Sequence, residues 1–167
     1  MVRPAATGAA AARPRRRGLE GRERGTLAMV GLVVATHGQL AEELLRTAGG
    51  IVGAMDRCEA VTISAGSSME EARDRLHKAI QRVDDGQGVL VLTDMFGGTP
   101  ANLALTFLDD RIEVVTGVNL PMLLKLATGR AEDLALRPLA ELVTSYGQKN
   151  ITLASELLRT RARSNRS

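Results

Sequence analysis

The apolar positions of this chain fall into short continuous runs separated by longer segments of helical period. The first run is Gly31-Leu32-Val33-Val34-Ala35-Thr36-His37-Gly38. Apolar residues at every position mark a strand buried on both faces, the signature of a parallel sheet. Gln39 to Val52 then sets Leu40, Leu44, Leu45, Ala48 and Ile51 at helical spacing, with Glu42, Glu43 and Arg46 on the other side. Cys58 to Ser64 half-alternates and predicts a second strand. Ser67 or Ser68 can cap the helix that follows, with Glu70 and Glu71 in its first turn. Ala72, Leu76, Ile80 and Val83 form its inward stripe, and it stops before Asp84-Asp85-Gly86.

The same alternation continues. Gly88 to Asp94 predicts another fully apolar strand, and Ala101 to Leu108 a helix. Ile112 to Thr116 is a fourth strand, after which Asn119 caps a helix with Pro121 in its first turn. A further helix is predicted from about Glu132 to Tyr146. The run Asn150-Ile151-Thr152-Leu153-Ala154 reads as a late strand with Ile151 and Leu153 on one face. Four strands alternating with helices predict an α/β fold, a doubly wound, flavodoxin-like and mostly parallel sheet.

Composition and charge narrow the picture. Aromatics are 2% of the 167 residues, so the core must be aliphatic. Charge is segregated: residues 1–28 carry +5, the tail from Arg159 carries +4, and the stretch between them carries −6. An acidic body with few aromatics to stack bases argues against nucleic acid as a partner. No apolar run approaches the ~18 residues of a membrane span, which argues against direct membrane insertion. Cys58 is the only cysteine, which excludes an internal disulfide and fits a reducing cytoplasm. One cysteine and two histidines offer no cluster of metal-ligand spacing, so no metal site and no cofactor are expected. Residues 1–28 lack periodicity and an apolar core after Arg15-Arg16-Arg17. They are expected to be a disordered basic extension or a mis-assigned start, with Met29 as the true beginning. The expected domain is 29–158, and 159–167 a basic disordered tail.

The candidate chemistry gathers where two strands end. His37 closes the first strand and Asp94 the third, and ligands of open α/β sheets collect at the strands' carboxyl ends. In a flavodoxin-like order these two strands are neighbours, so the side chains can meet. A carboxylate on one ring nitrogen fixes the tautomer and leaves the other as base or nucleophile. Gly97-Gly98-Thr99-Pro100 then opens a helix, where backbone N–H groups and the helix dipole favour an anion. Histidine, carboxylate and anion cradle suggest phosphoryl transfer through phosphohistidine. With an ordinary pKa of ~6.5, imidazole attacks phosphorus without a separate base. His77, on a charged helix face, is expected to be surface, and Cys58 begins a strand at the wrong edge for this chemistry.

Three motifs carry a resemblance: Ala35-Thr36-His37-Gly38, Thr93-Asp94-Met95-Phe96-Gly97-Gly98-Thr99-Pro100-Ala101-Asn102, and Gly117-Val118-Asn119-Leu120-Pro121-Met122-Leu123. Over about Met29 to Leu158 they resemble the mannose-family enzyme IIA domain of the bacterial phosphoenolpyruvate-dependent sugar phosphotransferase system. The resemblance implies that His37 accepts phosphate from the phosphocarrier HPr and passes it to an enzyme IIB. It implies that Asp94 orients His37, that Thr36, Gly97, Gly98 and Thr99 surround the phosphate, and that the late strand is exchanged within a homodimer. A stand-alone regulatory phosphoprotein would use the same residues. A histidine phosphatase would need an arginine where Thr36 stands. A receiver domain would need an acidic pair after the first strand, which is absent.

Overall fold

The computed structural model describes residues 29–64, 66–130 and 134–164; the predicted arm 1–28, Glu132 and residues 165–167 lie outside these. In chain order the elements are β1 (Gly31–His37), α1 (Leu40–Val52), β2 (Cys58–Ile63), α2 (Met69–Val83) and β3 (Val89–Thr93). They continue with α3 (Thr99–Leu105), β4 (Ile112–Thr116), α4 (Leu120–Gly129), α5 (Leu136–Lys149) and α6 (Ala154–Ser164). The strands form one parallel sheet in the order β2-β1-β3-β4, the order expected of a doubly wound flavodoxin-like fold.

Strand alternation divides the core in two. Leu32 and Val34 of β1 with Leu90 and Leu92 of β3 face α1, α4 and α5, meeting Ala48, Leu123, Leu126, Leu139 and Val143. Val33 and Ala35 with Val89 and Val91 face α2 and α3, meeting Leu76, Ala79, Ile80, Leu103 and Ala104. β1 and β3 are covered on both faces and both edges, which explains why they read as unbroken apolar runs. β2 and β4 are the outer strands, and every residue of β4 is only half-buried.

Helix starts follow local chemistry. Ser68, not Ser67, caps α2: its hydroxyl accepts from the Glu71 N–H at 3.1 Å, and Glu71 accepts in return from the Ser68 N–H. This reciprocal pair satisfies two amides that the first turn leaves open. The Asn119 side chain caps α4 by accepting from the Met122 N–H at 3.1 Å.

The late strand is the main difference from expectation. Asn150–Leu153 forms no strand, and Ile151 and Leu153 stay exposed, at 78% and 64%. The Glu156 and Leu157 N–H groups both donate to the Leu153 carbonyl, so the chain turns into α6 at Ala154. Strand pairing needs a neighbour, and this segment meets none among the described residues, so the local helix preference of Ala-Ser-Glu-Leu-Leu prevails. The backbone of 159–164 continues that helix instead of forming the expected tail.

Ser68→Ala should lower unfolding free energy by about 0.5–2 kcal/mol, measured as a reduced urea midpoint at constant slope. An unchanged midpoint would show that the capping box contributes nothing.

Candidate active site

β1 and β3 are hydrogen-bonded in a register that pairs Ala35 with Thr93, so the residues just beyond, His37 and Asp94, emerge side by side. The His37 Nδ1 lies 2.8 Å from Asp94 Oδ2, and the His37 backbone N–H donates to the same oxygen at 3.0 Å. Asp94 Oδ1 accepts the Met95 N–H at 3.0 Å. One carboxylate therefore holds both the ring and the backbone of His37. The His37 side chain is 47% exposed while that of Asp94 is 14% exposed, so the ring is open to a partner and its anchor is not.

Burial alone would raise the Asp94 carboxyl, but the ring and backbone donors of His37 and the Met95 N–H outweigh it and hold it below the ordinary range. Asp94 is then an ionised acceptor at neutral pH, so Nδ1 must carry the proton that lies between them. Nε2 lies on the Gly98 side of the ring. Because the folded-state value is depressed, this contribution to stability is present above the ordinary carboxylate range. It is lost as pH falls through the folded value.

The turns around the ring are set by backbone need. Gly38 takes a φ of +53° to leave the strand sharply, and its N–H donates to the Ile63 carbonyl. Gly97 has a φ of +78°, and the Asn102 side chain donates to its carbonyl at 3.2 Å. Gly98 lies directly against the ring: a Cβ there would stand 2.7 Å from His37 Cε1 and 3.4 Å from Nε2. Thr99 opens α3 and shares an open cleft with His37, Gly38, Ile63, Ser64, Gly66 and Ser67.

Most predicted residues converge, and one does not. His37, Asp94, Gly98 and Thr99 meet, with Gly97 in the adjoining turn. Thr36 does not reach the site: it is fully buried, and its hydroxyl accepts the Ala41 N–H at 2.8 Å. It serves as the cap of α1, whose Gln39 offers no side-chain cap of its own. Ser64, read as the end of a strand, and Ser67, read only as a cap, also line this cleft. The available signal was β2 beside β1, which puts the loop after β2 on the same edge as His37. His77 is exposed and stacks on Phe107, and Cys58 starts β2 away from the site.

Residues 31–144 match the EIIA-man family, described as "PTS system fructose IIA component". The chain belongs to the EIIA-man family. The PTS system fructose-specific EIIA component of Bacillus subtilis (strain 168) is 33% identical over 132 residues, covering 78% of this chain and 90% of that protein. The PTS system mannose-specific EIIAB component of Escherichia coli (strain K12) is 31% identical over 124 residues. That match covers 73% of this chain but only 38% of the longer relative. Among solved structures, the PTS IIA protein associated with the fucose utilization operon from Streptococcus pneumoniae superposes with a TM-score of 0.70 at 31% identity. It covers 78% of this chain and 96% of that one. In this EIIA-man chain no helix among the described residues is long and apolar enough to cross a membrane.

Gly98→Ala suits the local backbone, φ −74° and ψ 163°, but not the ring beside it. The variant should fold while turning the ring from Asp94, seen as large changes in the His37 ring NMR signals. Unchanged signals would show that the loop yields instead.

Proposed function

We propose that this EIIA-man chain is a cytoplasmic phosphocarrier of the sugar phosphotransferase system. It takes a phosphoryl group on His37 from phospho-HPr and passes it to an enzyme IIB for sugar uptake. The observation that carries this reading is the 2.8 Å contact of His37 Nδ1 with Asp94, with Nε2 on the other side of the ring beside Gly98. The Nε2 lone pair attacks phosphorus, and an N–P bond forms as the donor's bond to phosphorus breaks. Transfer to the acceptor reverses these changes. Asp94 stabilises the positive charge that the ring gains. The first turn of α3, with Gly97, Gly98 and the Thr99 hydroxyl, meets the phosphoryl oxygens. Family membership supports the phosphocarrier role, and the exposure of the ring suits exchange with protein partners.

The same reading includes a homodimer. Among the described residues the outer edge of β4 has no strand beside it, and Ile151 and Leu153 are exposed. Pairing of the segment around Asn150–Ala154 with a second copy would cover both.

Incubation with phosphoenolpyruvate, enzyme I and HPr should add one phosphoryl group by intact-protein mass spectrometry, and an added IIB should remove it. His37→Gln should abolish uptake with the fold retained. Asp94→Asn should slow uptake by roughly the 10–100-fold of lost supporting partners. Thr99→Ala should cost less, about 0.5–1.5 kcal/mol. The label should be acid-labile. An acid-stable label, or one surviving His37→Gln, would overturn the proposal.

Deletion from Lys149 onward should yield monomers or aggregates by light scattering. An unchanged dimer would exclude this segment from the interface.

A further inference from the structure

The amino-terminal edge of the sheet, a strand's length from His37, holds a second concentration of unusual chemistry. Arg130 follows α4 and is only 8% exposed. Its Nη1 donates to Cys58 Sγ at 2.9 Å, and its Nη2 to Met29 Sδ at 2.8 Å and to the Asp56 carbonyl at 2.7 Å. Sulfur accepts weakly, and Nε is buried with no partner among the described residues. None of the ion pairs among the described residues involves Arg130. A buried cation held, among the described residues, only by neutral groups is a costly arrangement that an anion relieves.

A cavity of about 160 Å³ opens beside it, lined by Arg130, Met29, Val52, Met55, Asp56 and Leu126 among others. That is room for roughly five waters, well short of a drug-sized pocket. The walls are mostly aliphatic, with the guanidinium as the one cationic group. Cys58 is not the reactive group here: burial pushes its thiol up, and Arg130 opposes that only in part.

We propose that this cavity binds a small organic monoanion, a short-chain carboxylate. Its head meets the Arg130 guanidinium, and its aliphatic body lies on Val52, Met55 and Leu126. Guanidinium and carboxylate match in charge and planar geometry. Inorganic phosphate, polar on every side, does not suit the aliphatic walls, and Asp56 disfavours a second negative charge. The bound carboxylate would tie Met29, the start of β2 and the end of α4 through one charged centre. The inference does not rest on phosphoryl transfer at His37.

The test titrates the full chain with n-butyrate, with sodium chloride and inorganic phosphate at matched ionic strength as controls. Melting temperature and the methyl NMR signals of labelled methionines are followed together. Butyrate should raise the melting temperature saturably and shift the Met29 and Met55 methyls, while both controls leave them in place. Ala127→Leu narrows the cavity while keeping the guanidinium in the chain and should abolish the response. Arg130→Gln should weaken binding by about tenfold or more; if it does not fold, Ala127→Leu decides alone. No saturable response to butyrate, a response unchanged in Ala127→Leu, or an equal response to phosphate would overturn the proposal.

Discussion

The site depends on one carboxylate that binds a histidine twice. Asp94 Oδ2 takes both the ring Nδ1 and the backbone N–H of His37, so the ring's tautomer and the end of β1 are fixed together. This is possible only because β1 and β3 are adjacent in the sheet and end in register. An order in which β1 and β3 were not neighbours would separate the two residues. The apolar interior of both strands, buried on each face, is what enforces that order. Core packing and site geometry are therefore one constraint: the residues that hold β1 between β2 and β3 also hold the imidazole.

Around that pair the backbone was shaped to leave the outer nitrogen accessible. Gly98 lies where a side chain would collide with the ring, and Asn102 braces the turn from behind through the Gly97 carbonyl. Thr36 adds support from below by capping α1, the helix that leaves the His37-Gly38 turn. The opposite edge of the sheet has a different character. There the charged centre is buried Arg130, held by sulfur and a carbonyl with no ionic partner among the described residues. The two edges of one fold thus present an exposed histidine and a buried cation.

Much of this was legible in the residues. Continuous apolar runs marked β1 and β3 as central, and a lone histidine and aspartate at their carboxyl ends marked the site. The role of Thr36 was misread because it adjoins His37 in sequence, although neighbours along a strand point to opposite faces. Ser67 and Ser68 are equally good caps by type, and only the backbone could choose between them. Asn150–Ala154 has too few residues for its alternation to outweigh helix preference when no partner strand is present. Arg130 gave no signal, because a single arginine at a helix end is usually solvated. Its burial follows from β2 and α4 converging, which no local pattern encodes.

The proposed role of Asp94 is to hold the Nδ1 proton and reserve Nε2 for phosphorus. Nitrogen-15 NMR of the imidazole-labelled protein, before and after phosphorylation, tests it most directly. A protonated Nδ1 in the free protein and a phosphorus coupling on Nε2 of His37 in the phosphorylated one are expected. A proton on Nε2 in the free state, or phosphorus bonded to Nδ1, would contradict it.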